Sequence, residues 1–408
     1  MFIHFSRQKE FFMAKTVGIV AEYNPFHKGH AYQIDCLKDM GFDRIAVAMS
    51  GSCVQRGEIA LLDKFCRAGM AVDCGASLVC ELPYPYSCFS AEGFAKSGVH
   101  ILKNIGADAL CFGSESADIS LLCSIADYLL SGEYEANLKK YLAENMPFAA
   151  AREKAITEKF ALSREVITAS NDILALEYIK ECRRINWDVQ LIPIKRKGAD
   201  YNDLSLKASF ASASGIRNAV KEYRFETAAG YVPETVQKDF LNRLEQGDYF
   251  VADTAFEKAV IAGLKKLSAA DFETLPDCNT ELAHAFENAA SISNSFEKLF
   301  ENLPTKQYTK ARLNRIMLFA FMGTNSSIPA LPPFIRILAM DKNGEEIVKK
   351  ADKISALPIS HSYRILQDKS ENCRRVIEKE VLATDMQSLF FKFSGENRKD
   401  FTTKFYKK

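Results

Sequence analysis

VGIVAEYNPFHKGH, residues Val17 to His30, is the stretch on which the fold turns. The apolar run Val17–Ala21 is too short for a buried helix and reads as a buried strand. It breaks into a turn carrying Asn24, Pro25, His27, Gly29 and His30, and a helical pattern follows at once. With a helix beginning near Lys28, His27 stands at its entrance and His30 on its first turn. Both imidazoles and several free backbone N–H groups then converge on one spot. A phosphate there meets the positive end of the helix dipole and two donors that become cationic as charge develops. Preorganised donors of that kind stabilise an α-phosphate in nucleotidyl transfer by several kcal/mol. Gly29 leaves room for the close approach of phosphates. A pair of ordinary polar histidines in a turn is the plain alternative, and the strand and Asn-Pro lead-in argue against it.

Working outward, strand-like runs recur at Ile45–Met49, Leu78–Leu82, Ala109–Phe112 and Val189–Ile194. Helical patterns fill the gaps at Ala31–Met40, Lys64–Gly75, Ala91–Ile105 and Asn171–Asn186. Such alternation predicts an α/β fold, a Rossmann-like parallel sheet covered on both faces. Ligands on such sheets bind beyond the carboxyl ends of the strands. The HKGH turn, Ser50-Gly51, Pro83 and Gly113-Ser114-Glu115 therefore open on one face. Residues 118–165 read as a helical insertion before the fifth strand. After about residue 230 the strand signal fades into long helical stretches such as Asp253–Ala269 and Thr280–Asn302. The expected organisation is an N-terminal extension over 1–12, an ATP-binding domain over 13–230 and a mainly helical domain over 231–408. The tail Phe391–Lys408 has more Lys and Arg than acidic residues and is expected to be mobile.

Composition narrows the class. The 408 residues, 48% hydrophobic, suffice for two domains with their own cores. Fifty-three basic against 52 acidic residues create no global field, so a nucleic-acid surface must be a local patch. Eleven scattered cysteines, none in a CxxC pair, predict buried free thiols in a reducing cytoplasm. No apolar run reaches the roughly 18 residues of a membrane span, and residues 1–12 lack a signal-peptide core.

The HKGH turn after a first strand resembles the HxGH nucleotidyltransferases, although a Gly and an Asp usual in them ahead of the first histidine are absent. In their place stands Glu22-Tyr23-Asn24-Pro25-Phe26. EYNPFHKGH, MSGSCVQRGEIALLDKFCRAGMA at Met49–Ala71, ELPYPYS at Glu81–Ser87, CFGSES at Cys111–Ser116 and SASGIR at Ser212–Arg217 together resemble the bacterial tRNA(Met) cytidine acetate ligase family. The resemblance runs from Val17 to Arg217 in order, with YTKARLNR and PFIRIL as weaker pieces beyond. It implies that acetate attacks the α-phosphate of ATP, giving acetyl-adenylate and pyrophosphate. The acetyl group then passes to N4 of the wobble cytidine of elongator tRNA(Met). Catalytic roles would fall to His27 and His30. ATP would be bound by the run Val20, Ala21, Glu22, Tyr23, Asn24, Pro25, Phe26, His27, Lys28, Gly29 and His30, with Gly113, Asn171, Arg196, Ser214 and Arg217.

Several of these can be read physically as well. Arg56 and Lys64 are candidates to neutralise phosphate or acetate charge, or belong to a solvated loop. Gly113 ends a strand where a side chain would collide with adenine or ribose. Ser170 or Asn171 is a good N-cap by type. Lys195, Arg196 and Lys197 follow the fifth strand at the binding face. Ser214 and Arg217 match the Ser/Thr-x-x-Arg signature for β- and γ-phosphates, and Arg217 would clamp the leaving pyrophosphate. Lys306, Lys310, Arg312 and Arg315, interleaved with Tyr308, form a candidate tRNA surface, extended by Arg364, Arg374, Arg375 and the Lys-rich tail. No metal site is evident, and magnesium is expected to travel with ATP on its phosphates and water. Two other readings share these features: a small-molecule adenylyltransferase or pantothenate-synthetase-like ligase without tRNA, and a non-catalytic nucleotide sensor or RNA-binding protein. The intact histidine pair speaks against the second.

Overall fold

The computed structural model describes residues 15–161, 169–196, 211–393, 395 and 397–408. The extension 1–12 and Lys197 lie outside them. Strands β1 (Thr16–Ala21), β2 (Arg44–Ser50), β5 (Leu78–Leu82), β6 (Ala109–Ser114) and β7 (Gln190–Lys195) form where the apolar runs predict them. β3 (Cys53–Val54) and β4 (Glu58–Ile59) make a small separate hairpin. β8 (Ile335–Met340), β9 (Ile359–Ser360) and β10 (Tyr406–Lys407) come from the C-terminal part. The main sheet runs β10-β8-β5-β2-β1-β6-β7, with β9 beside β8. Neighbours from β5 to β7 are parallel, and β8 is antiparallel to β5.

This order fixes where a ligand can sit. β2 lies on one side of β1 and β6 on the other, so the connections leaving β1 and β6 part and open a crevice between them. Both faces of β1 are covered. Val17 and Ile19 are buried in the core shared with Leu37, Phe26 and Val72. Cys80 and Leu82 of β5 face the opposite core, with Phe94 and Leu102 of helix Ala91–Asn104. Between β6 and β7 the chain forms helices Ile119–Leu129, Gly132–Ala143 and Phe148–Phe160, and residues 162–165 of the expected insertion lie outside the described residues. A third core, built on Phe256, Phe272, Phe286 and Phe319, unites the helices from Thr254 to Phe321.

Two expectations are corrected here. A boundary near residue 230 does not bound the sheet, because β8, β9 and β10 join it from beyond residue 330. The tail is not loose: Tyr406 and Lys407 pair with β8, and Asp400 is buried. The anchor is an ion cluster that a linear reading could not assemble. Lys64 Nζ lies 2.6 Å from Glu81, 2.8 Å from Glu380 and 2.7 Å from Asp400. Arg336 pairs with Glu81 and Asp400, and its guanidinium stacks 3.7 Å from the Tyr363 ring centroid. Lys64, offered above as a phosphate or acetate contact, is therefore a fully buried structural cation. Three carboxylates against two cations leave an excess negative charge, and burial pushes Glu380 up to about 7. All eleven cysteines are free, and burial holds thiols such as Cys80 up at about 12, well away from reactive thiolates. Among the described residues no helix is long and apolar enough to cross a membrane.

Candidate active site

Helix Lys28–Asp39 starts as the spacing predicts, and its cap is made of imidazoles. His27 is the N-cap, in extended backbone, and its Nδ1 accepts from Gly29 N–H at 3.0 Å. His30 Nδ1 accepts in return from His27 N–H at 3.3 Å. The rings stack with centroids 3.7 Å apart and 17° between planes. Since each Nδ1 accepts, the network puts the remaining proton of each neutral ring on Nε2. Neither Nε2 has a hydrogen-bond partner among the described residues. Burial lowers His27 to about 3, with the Arg196 guanidinium adding to it, and lowers His30 well below the usual histidine range. Both rings are thus held as neutral N–H donors, because protonation would cost both burial and a backbone bond. Gly29 is needed first by the protein: a Cβ there would sit 2.9 Å from the His27 ring.

The lead-in supports this pair from below. Tyr23 and Phe26 are fully buried, with ring centroids 4.7 and 5.6 Å from His30. Their side chains are the floor of the turn, so only their backbone is available to a ligand. Asn24 is also buried: its Oδ1 accepts from Leu61 N–H at 2.7 Å and its carbonyl from Arg217 at 2.9 Å. Pro25 is buried beside it, while Val20 and Ala21 are partly buried at the end of β1. Lys28 donates from its backbone to Tyr231 and from its side chain to Gly230, tying the helix start to residues 230–231.

Across the crevice, the loop after β6 and helix Ser170–Arg184 cap each other. Asp172 accepts from Glu115 N–H at 3.0 Å, Ser116 N–H at 3.1 Å and the Ser114 hydroxyl. Glu115 accepts from Asn171 N–H at 3.3 Å, Asn171 Nδ2 at 2.5 Å and Asp172 N–H at 3.0 Å. The helix cap is Ala169, with no side-chain bond, so neither Ser170 nor Asn171 plays the expected capping role. The carboxylate of Glu115 does it from another element. Asn171 Oδ1 in turn accepts from Arg196 at 2.9 Å. A Cβ on Gly113 would meet Arg196 only at ordinary contact, 3.6 Å, so nothing in the protein itself demands glycine there.

Helix Ala213–Lys221 brings the last group. Ser212 caps it, accepting from Gly215 N–H at 3.0 Å. Arg217 reaches Asn24 O, Ser214 Oγ at 3.3 Å and Glu58 Oε2 at 3.2 Å. Glu58 belongs to the β3–β4 hairpin, as does Gln55, whose N–H donates to Glu22 Oε1 at 3.0 Å. Burial raises the Glu22 carboxyl above its usual range, with Arg217 pulling the other way. Arg56, in the hairpin turn, is partly buried and close enough to Glu22 to act on its charge. Gly57 next to it has φ +73°, and a Cβ would lie 2.4 Å from the Arg315 backbone. Only glycine lets the hairpin lie against helix Lys310–Phe321. Glu115 and Glu58 stand inside the quoted motifs and Asp172 just beyond Asn171, but their partners lie 56 to 159 residues away, a distance that carries no signal in one sequence.

The basic stretch is less free than expected. Arg315 is buried and paired with Asp277 at 2.9 Å, so it is no tRNA contact in this arrangement. Arg312 bonds Asp277 and packs over Tyr308 at 4.9 Å. Lys310 lies 5.6 Å over Phe300, and Lys306 is exposed. These residues hold the helical core together and leave only Lys306 and Lys310 outward.

The HIGH Nucleotidyl Transferase family matches residues 14–402. The tRNA(Met) cytidine acetate ligase of Caldanaerobacter subterraneus subsp. tengcongensis is 33% identical over 397 residues, covering 95% of this chain and 98% of that protein. That of Acetivibrio thermocellus is 33% identical, over 93% and 95% of the two chains. Among solved structures, apo Thermotoga maritima TmcAL (form I) superposes with a TM-score of 0.90 at 30% identity, over 96% of this chain and 99% of that one. The same protein bound with alpha-thio ATP (form II) gives 0.88 at 29% identity. With the parallel sheet, the crevice at β1 and β6 and the histidine-capped helix in agreement, this chain belongs to the tRNA(Met) cytidine acetate ligase family of HIGH nucleotidyl transferases.

Proposed function

We propose that the chain is an ATP-dependent ligase that joins acetate to N4 of the wobble cytidine of elongator tRNA(Met). The observation that carries the reading is the stacked, neutral histidine pair at a helix N-terminus beside the β1/β6 crevice. In the first step an acetate oxygen attacks the α-phosphorus of ATP and the bond to the β-phosphate breaks. The Nε2–H groups of His27 and His30 donate to the α-phosphate oxygens as charge gathers there. Arg217, with Ser214, takes the β- and γ-phosphates and so holds the departing pyrophosphate. To do this Arg217 exchanges part of its contact with Glu58. Asn171 and Arg196 steady the nucleoside half, and Gly113 leaves it space. In the second step the cytidine N4 attacks the acetyl carbonyl, the carbon–oxygen bond to AMP breaks, and N4 gives up a proton. No covalent enzyme intermediate is required.

Magnesium accompanies ATP in this reading. Among the described residues no group of three or more His, Cys, Asp or Glu is arranged to hold a metal, and no step is assigned to one. The free thiols and a tRNA substrate support a cytoplasmic location.

The test is incubation with ATP, labelled acetate and total bacterial tRNA, followed by nucleoside analysis. Label in N4-acetylcytidine is the expected result. Label confined to a small acyl product would favour the small-molecule ligase instead.

A further inference from the structure

On the same side of the sheet as the histidines, but beyond β5, lies a second cavity of about 300 Å³. Its walls include Arg336, His361, Arg364, Lys404 and Phe405. Its place follows from register. Ala21 of β1 pairs with Met49 of β2, Met49 with Glu81 of β5, and Glu81 bonds Arg336 of β8. Three strand spacings put the cavity about 14 Å from the end of β1. Val79 and Leu338 face the core that holds Tyr23 and Phe26. Glu81 and Arg336, two residues along, face the same way.

The charges around it are sorted. Lys399 pairs with Asp63, Lys407 with Glu345, Lys408 with Asp73, and Arg375 bonds Ser327. Arg336 is satisfied by Glu81 and Asp400. Arg364 and Lys404, both exposed at the cavity, have no hydrogen-bond or ion-pair partner among the described residues. In the same cavity wall the His361 and Phe405 rings pack with centroids 5.2 Å apart and 37° between their planes. Two unengaged cations beside a pair of packed rings match one nucleotide unit of a single strand: a phosphodiester on the cations, a base against one ring face.

We infer that this cavity binds an RNA nucleotide, one flanking the target cytidine in the tRNA loop. This rests on the ligase reading above and extends it to a contact outside the ATP crevice. The strand would run along the carboxyl edge of the sheet, with the cytidine delivered at the β1/β6 crevice. The folded-back tail thereby becomes part of the acceptor site.

The experiment compares the wild-type enzyme with R364E, K404E and the double variant. Acetate-dependent ATP–pyrophosphate exchange without tRNA reads the adenylation site alone. Acetylation against tRNA concentration, at several salt concentrations, reads the cavity. The expected result is unchanged exchange, a KM for tRNA raised about tenfold or more in the double variant, and a salt slope shallower by about one per lost phosphate contact. A tRNA KM and salt slope equal to wild type would overturn the inference. So would a fall in exchange equal to the fall in acetylation, since that would make both side chains structural. Absence of exchange in the wild type would refute the ligase reading instead. Direct tRNA binding by wild-type and double variant then decides the cavity on its own.

Discussion

At the scale of single residues, His27 and His30 do two jobs with one set of atoms. Each Nδ1 closes the helix cap and, by accepting, commits Nε2–H to the crevice. His30→Ala is expected to lower acetate-dependent ATP–pyrophosphate exchange by about 100-fold or more. Its stability should drop only about 1 kcal/mol, the worth of a cap; exchange assays and thermal unfolding check the pair of outcomes. The low basicity of His27 has a pH consequence with a definite sign. Folded, the ring stays neutral down to about 3, while unfolded it titrates at its ordinary 6.5. Above pH 6.5 its contribution is fully present. Below, the unfolded chain takes up a proton that the folded chain refuses, so stability falls by about 1.4 kcal/mol per pH unit towards pH 3. His27→Asn keeps a capping oxygen and removes the titration. Urea unfolding at pH 7, 5.5 and 4.5 should show a shallower acid loss in that variant than in the wild type.

At the scale of elements, the crevice is built by helices and loops that satisfy each other's termini. The loop after β6 is folded by Asp172, and helix Ser170–Arg184 is capped by Glu115. Asp172→Ala removes an acceptor from three donors at once and should cost about 2 kcal/mol or more. Because Gly113 and Asn171 sit on those two pieces, the KM for ATP in the exchange assay should rise as well. An unchanged KM with full loss of stability would separate the two. Sequence periodicity found each of these elements within a few residues. Who caps whom was not readable, since Asn and Ser by type make better caps than the Ala169 that occupies the position.

For the molecule as a whole, the ion cluster under β5 and β8 joins the two halves of the chain. Helix Lys64–Asp73, β5, β8, helix Glu371–Leu389 and the final turn each supply a charge to it. Lys64→Met would leave three buried carboxylates facing Arg336 alone, a loss of about 3–5 kcal/mol. The midpoint of denaturant unfolding measures it. Glu380 also accepts from Ser52 N–H at 3.0 Å, in the loop after β2, so the same variant should loosen the β3–β4 hairpin that positions Glu22 and Glu58. The helical half is thus part of the scaffold of the site at the β1/β6 crevice.

The sequence by itself determined the strand-turn-helix at the histidines, the parallel sheet and the face on which the loops open. These depend on local matters: short apolar runs, helical periodicity, and a turn that brings His27 and His30 together within four residues. It could not separate Lys64 from Arg217, one a buried strut and the other a crevice cation, because each owes its role to carboxylates far along the chain. Nor could it show that the basic tail returns to the sheet. That return depends on Asp400 finding Lys64 and Arg336 in a largely buried site, where an unpaired charge would be costly. Pairing across hundreds of residues has no local period, and only the tertiary structure decided it.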